Sequence, residues 1–463
     1  MGCTTAVTSA TARSCRHAEA CYAEGVQENL RDKGLVRAVG PWGLAANIVN
    51  IVVGASIFAV PANLAASIGV LAPLAFLGCA GAIGAIAICF AEGGSRVPTS
   101  GGAYGYIEAA FGPFVGFVAG TLLWFSSALA SGGIAAALAD TAVSILPARI
   151  ATSAHALIIV AVIGGLTLVQ LGGVARGTRI VNATTVLKLI PLAVFLVAGA
   201  GAMHAANFTQ TVPVSPEGLG HALILALFAF TGMETSVCAS GEVAQPARTI
   251  PVALGIAMLG VTLLYVAVQV VCQGVLGATL AQTETPLADA MARLNPVLRM
   301  LLLAGAGLSM FSWIAGDLLG TPRVLFAFGR DGLLPRALGR VRASTHAPHV
   351  AIVSYAALST LLALTGTFAE LAVLSTLAIA LVYIAACTAA WRLARARVAL
   401  AGTPLGFRYL GAAMLIGVAS MLALIALASP AEILGLIAAT VLTAAFYWGF
   451  ARRNARSLSD SVS

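Results

Sequence analysis

The sequence predicts an all-α membrane protein with twelve transmembrane helices, on three observations. First, 60% of the 463 residues are hydrophobic and 9% are charged. Soluble domains carry roughly 25% charged residues, so lipid must replace much of the water around this chain. Second, the uncharged stretches are long: Ala109 to Ala139 contains no Asp, Glu, Lys or Arg. A membrane helix needs about 20 mostly apolar residues. Third, the apolar runs are continuous rather than alternating. That pattern selects helices over barrel strands, the two structures that satisfy their backbone within lipid.

The spans are expected near 42–66, 69–92, 103–138, 152–171, 179–202, 218–241, 251–277, 297–327, 349–367, 370–392, 408–428 and 430–451. The last four are joined by short loops and should pair as antiparallel hairpins. With the N-terminus in the cytoplasm, 21 of the 25 Lys and Arg residues fall on cytoplasmic segments. Arg149, Arg293 and Arg299 fall outside, and Lys188 lies within span 5. This asymmetry follows the positive-inside rule and supports an even span count, with both termini cytoplasmic. The net charge of +8 therefore reads as a topology signal, and no nucleic-acid partner is expected. The helical domain should cover 41–452, between a cytoplasmic tail at 1–40, expected to be disordered, and another at 453–463.

Cys79, Cys89, Cys238, Cys272 and Cys387 lie inside apolar spans and read as small core residues. Cys3, Cys15 and Cys21 sit with His17 in a polar leader at no standard zinc spacing, so no metal or cofactor is expected. The leader has no early apolar region and does not read as a signal peptide.

Two spans break their own rules. Span 1 carries Gly54-Ala55-Ser56 at mid-span, followed by Pro61. Span 6 carries Phe230-Thr231-Gly232-Met233-Glu234. Close packing through small residues explains the first run taken alone. A paired interruption five spans apart is instead a pointer to a transporter binding site between two inverted repeats. Half-helix N-termini suit a carboxylate and freed carbonyls suit an ammonium, so a zwitterion matches both. Three charges lie deep in spans: Lys188, Glu234 and Asp317. Each costs on the order of 3 kcal/mol in hydrocarbon on insertion scales, so each is either structurally paired or functional. Glu92, Glu108 and Asp140 lie near span ends and read as ordinary interface residues.

Four motifs resemble the amino acid–polyamine–organocation transporter superfamily. They are Gly54-Ala55-Ser56-Ile57-Phe58 with Pro61-Ala62-Asn63-Leu64, and Pro98 to Tyr104 with Phe111-Gly112-Pro113. The third is Phe230 to Glu234 with Gly241-Glu242-Val243, Pro246, Arg248 and Ile250-Pro251. The last is Pro322-Arg323 with Arg330-Asp331-Gly332-Leu333-Leu334-Pro335. Their order and their places at span ends make the combination specific.

The resemblance implies the leucine-transporter fold: two inverted five-helix repeats plus two C-terminal helices. It implies a permease, not an enzyme, moving amino acids or related amines by alternating access. A substrate carboxylate would sit on the Ala55 and Ser56 amides beside Gly54. The amine would sit near the Val52, Phe228 and Thr231 carbonyls, close to Gly232. Phe228 matches an aromatic gate, and Asp317 would face the substrate side chain. Lys188 matches a lysine of some proton-coupled members, which takes the place of a sodium ion. Its charged form would hold spans 1 and 8 together, unless it forms an ion pair with Asp317 or Glu234. Glu234 would either tune gating by protonation or cap the broken helix. Ser56 departs from the commoner second glycine, which keeps the N–H and leaves substrate size open. The expected partners are the substrate, protons and the lipid bilayer of the cell membrane. Proton-coupled symport is the expected mechanism, with exchange without obligatory proton coupling as the alternative and a channel or intramembrane enzyme as the rival from another class.

Overall fold

The computed structural model describes residues 37–451 apart from 144–147, 210–215, 239, 284, 367, 401–403 and 429. The expectations for the two tails, including Cys3, Cys15 and Cys21, lie outside the described residues.

Each of the twelve expected spans falls on helix. Span 1 is α1 (Pro41–Val52) and α2 (Ser56–Ile68), and span 2 is α3 (Ala72–Arg96). Span 3 is α4 (Ala103–Phe111) and α5 (Pro113–Val143), where one helix was expected. The division falls at Gly112, whose φ of 89° lies in the left-handed region, directly before a proline. Spans 4 and 5 are α6 (Ala148–Leu171) and α7 (Val174–Ala200). Span 6 is α8 (Pro216–Ala229) and α9 (Met233–Val237), and span 7 is α10 (Pro246–Leu276). A short α11 (Pro286–Ala292) precedes span 8, which is α12 (Pro296–Gly320) and α13 (Pro322–Arg330), divided at Thr321. The rest are α14 (His349–Thr365), α15 (Phe368–Arg395), α16 (Leu410–Ala426) and α17 (Pro430–Phe446).

Proline opens α1, α5, α8, α10, α11, α12, α13 and α17. At a first helical position its missing N–H removes no intrahelical bond, and its φ suits the helix. Among the described residues the sole β-type pairing is one parallel bridge between Val39 and Val243.

Seven helical stretches among the described residues are long and apolar enough to cross a membrane. Spans 1 and 6 are cut by their breaks, and α14, α16 and α17 are apolar helices of 17 residues each. The chief packing partners are α15 along α5, α3 and α1 along α10, and α7 along α12. Leu168, Val197, Leu263 and Leu442 face outward among many exposed apolar side chains, which suits a hydrocarbon surrounding. One expectation at a span end is corrected: Glu92 is fully buried rather than interfacial. It accepts from Arg96 Nε at 2.7 Å and from the Phe407 N–H at 3.0 Å, so the stretch before α16 is tied to the end of α3.

Candidate functional site

Span 1 unwinds over Val53, Gly54 and Ala55. A helix that stops at mid-span strands carbonyls on one side and N–H groups on the other. The carbonyls are taken up by side chains from three other spans. The Lys188 ammonium donates to Val53 O at 2.5 Å and to Asn50 O. Ser309 Oγ lies 3.1 Å from both Val53 O and Gly54 O. Tyr265 Oη lies 2.6 Å from Val52 O and 3.0 Å from Ala229 O. A hydroxyl has one proton, so Tyr265 shares or alternates it between the two breaks. On the other side, the Ala55 and Ser56 N–H groups have no acceptor among the described residues. They stand at the N-terminus of α2, whose dipole favours negative charge.

Span 6 breaks at Phe230 to Gly232. Gly232 has φ 119°, and a Cβ there would stand 2.6 Å from Ile51 Cγ2. Glycine is therefore required both by its conformation and by the approach of span 1. Glu234 lies in the first turn of α9. Its Oε2 accepts from the Gly232 N–H at 3.0 Å and from the Tyr383 hydroxyl. That is a helix cap, with a second partner reaching across from α15.

A cavity of about 60 Å³ lies between the breaks, with room for a few waters. Val52, Gly54, Ala55, Ser56, Phe228, Thr231, Gly232 and Glu234 all line it. The two interruptions, 170 and more residues apart in the chain, thus form one site. Trp313, Ser126, Ser127, Thr235, Ser375 and Thr376 also line the wall. Ser126 and Ser375 donate to one another's carbonyls, both at 2.8 Å, and so stitch α5 to α15 across the cavity.

Three expectations about the site differ from the structure. Asp317 does not line the cavity. It is fully buried and accepts from Thr321 Oγ1 at 2.7 Å and from the Tyr355 hydroxyl, so its carboxylate ties α12 to α14. The Val52 and Phe228 oxygens are already engaged. Val52 O accepts from the Gly54 N–H at 2.8 Å as well as from Tyr265. Phe228 O accepts from Thr231 Oγ1 at 2.8 Å and from the Thr231 N–H at 3.1 Å. A carbonyl has two lone pairs, which leaves Thr231 O as the acceptor still open to an amine. Finally, Lys188 is fully buried behind the cavity and makes no ion pair with Asp317 or Glu234. Its ammonium reaches span 1 alone, while Ser309 of span 8 meets the same Val53 oxygen.

Tyr265, Trp313, Ser309 and Tyr383 were not singled out from the sequence. The available signal was polar or amphipathic residues inside apolar runs, whose polar atoms need a buried partner.

These features define a multi-pass helical membrane protein built around a buried, partly polar cavity. Residues 39–451 match the family model described as amino acid permease, and the chain belongs to that family, within the amino acid–polyamine–organocation superfamily. Its members here are transporters, not enzymes. The chain is 28% identical over 351 residues to the branched-chain amino acid permease BcaP of Bacillus subtilis, covering 72% of this chain and 75% of the relative. It is 27% identical over 366 residues to the serine/threonine exchanger SteT of the same organism, covering 77% and 83%. It is 25% identical over 341 residues to the methylthioribose transporter of that organism, covering 70% and 74%.

Proposed function

We propose that the protein is a secondary transporter of zwitterionic amino acids that works by alternating access and couples uptake to protons. The observation that carries this reading is the pair of free N–H groups, Ala55 and Ser56, at a cavity also lined by the second break. A carboxylate fits the positive end of α2, and the Thr231 carbonyl offers the ammonium an acceptor across the cavity. The reading adopts the leucine-transporter arrangement of two inverted five-helix repeats and two further helices. It places the protein in the cell membrane with both termini cytoplasmic, following the arginine asymmetry.

Lys188 supports proton coupling. Its ammonium is held by the main-chain carbonyl oxygens of Asn50 and Val53, ligands of the kind that would hold a monovalent cation. Unlike a metal ion, it can release a proton, and the freed Asn50 and Val53 carbonyls would then favour a different packing of span 1. The likeness to a serine/threonine exchanger favours a second reading, in which substrate exchange proceeds without a net proton. Uptake by purified protein in liposomes separates them. The screen covers the amino acids, common amines and methylthioribose, with and without an inward proton gradient, in sodium-free buffer. Saturable uptake of an amino acid, raised by the gradient, is expected. Counterflow insensitive to the gradient would select exchange, and uptake of methylthioribose alone would remove the zwitterion reading.

A further inference from the structure

On the side of the cavity that carries Val39, main-chain hydrogen bonds tie the segment before α1 to the segment after α9, forming a plug. The Val39 N–H donates to Glu242 O at 3.0 Å, and the Ala244 N–H donates to Val39 O at 2.9 Å. The Gly101 N–H donates to Cys238 O at 2.9 Å, which sets the turn before α4 against the end of span 6. Glu242 ties this plug to Arg323, the second residue of α13, which is fully buried. One terminal nitrogen of its guanidinium lies 3.2 Å from both carboxylate oxygens of Glu242, which is also fully buried.

The remainder of the guanidinium is idle. Its Nε and its other terminal nitrogen are buried without a hydrogen-bond partner. Between them they carry three N–H bonds. Leaving charged donors unmet in a dry site is costly, and a pair built for closure alone would use the two-pronged fork that arginine offers a carboxylate. Glu242 occupies a single nitrogen, so the arrangement closes the plug while holding donors in reserve. The plug is also near the cavity in chain terms. Thr235 lines the cavity and Glu242 follows seven residues later.

We propose that Arg323 is a second carboxylate-binding station, on the path between the cavity and the face that carries Val39. With the plug closed, Glu242 holds the guanidinium. As the plug opens, Glu242 withdraws, and the substrate's own carboxylate takes the guanidinium after leaving the Ala55 and Ser56 amides. One carboxylate replaces another, so the charge is never left unpaired. The ligand class is an α-carboxylate anion within a zwitterion. This inference rests on the transport reading above.

The test uses full-length protein in liposomes with defined orientation and a radiolabelled amino acid that the wild type transports. KM is measured separately from each face. Arg323→Gln is expected to raise KM at the face carrying Val39 by about tenfold or more, as expected for the loss of a charged hydrogen bond, with less than a twofold change at the opposite face. Arg323→Lys keeps the charge without the fork and should fall between. It also provides the test if the glutamine variant does not fold. The amide of the same amino acid, which lacks the carboxylate, should inhibit wild type and Arg323→Gln equally from the Val39 face. Glu242→Gln should loosen the plug, read as faster reaction of the buried free thiol of Cys238 with a reagent added from that face. An equal KM shift at both faces, or none, would overturn the proposal and leave water as the partner of the idle donors. If the wild type shows no carboxylate-dependent transport, the transport reading fails first and this inference fails with it.

Discussion

The Lys188 ammonium stands 2.5 Å from the Val53 carbonyl oxygen, at the point where span 1 stops being a helix. The same oxygen lies 3.1 Å from Ser309 Oγ, so spans 1, 5 and 8 meet at one atom. A positive charge here neutralises the partial negative charge of stranded carbonyls, and its removal leaves them unmet in a dry environment.

Lys188→Ala should therefore separate binding from driven accumulation. Substrate binding should persist with a change of a few-fold, because Lys188 lies behind the cavity wall rather than on it. Gradient-driven accumulation should fall by about tenfold or more, the scale of 1.4 kcal/mol in coupling, while exchange continues. Accumulation ratios in liposomes with and without a proton gradient check this. Full accumulation by the variant, or an absolute sodium requirement in the wild type, would remove proton coupling through Lys188.

Gly54→Leu should abolish binding while the protein remains folded. A Cβ at Gly54 would already lie 3.0 Å from Trp313 Cδ1, and the rest of a leucine must enter the cavity or displace the indole. Thermal shift and size exclusion should resemble the wild type, and uptake should drop at least about tenfold. A folded variant with normal uptake would show the substrate site to be elsewhere.

Glu234→Gln distinguishes a proton-sensitive gate from a fixed cap. Glutamine keeps an oxygen for the Gly232 N–H, so the cap of α9 survives the change. If Glu234 gains and loses a proton during gating, the pH profile of uptake flattens in the variant. An unchanged profile would assign it capping alone. Tyr383→Phe should slow or unbalance transport in either case, since the hydroxyl links α15 to this carboxylate. The lost bond to a charged group is worth about 1.5–3 kcal/mol.

Asp317→Asn should lower uptake of neutral and cationic amino acids by the same factor, because the carboxylate points to Tyr355 and Thr321 and not into the cavity. Asp317→Leu should destabilise the protein by about 1–3 kcal/mol for each buried hydroxyl left without its acceptor. Uptake measured for one substrate of each charge class decides the first point. A selective loss of cationic uptake would place Asp317 in the binding site after all.

The breaks in spans 1 and 6 were legible because they are local properties of the chain. Gly54-Ala55-Ser56 lacks side-chain bulk, and Gly54 and Gly232 lack the propensity that keeps an apolar helix regular, so such positions can be read one window at a time. Span 3 shows the limit of the same reasoning. Phe111-Gly112-Pro113 was recognised as a motif, yet its power to divide the helix shows in the left-handed φ of Gly112.

The direction of a buried charge was not legible in the same way. Trp313 and Asp317 are four residues apart, nearly on one face of α12, yet Trp313 lines the cavity and Asp317 faces α14. Four residues advance about 6 Å along the axis and turn the side chain by about 40°. That is enough to exchange one set of neighbours for another.

By itself, then, the sequence determined a multi-pass helical membrane protein, the places where two helices break, and the three deep charges that must find partners. Composition and short-range periodicity carry that information, because lipid penalises any unpaired backbone or charge wherever it falls. The tertiary structure alone decided the partners. Lys188 meets main-chain carbonyls instead of an acid, Glu234 meets Tyr383, Asp317 meets Tyr355, and Arg323 meets Glu242 with donors to spare. Each of these contacts joins residues from separate segments of the chain, 38 to 149 positions apart. Their geometry depends on how neighbouring helices rotate and slide as they pack, a long-range outcome that no local pattern in the chain encodes.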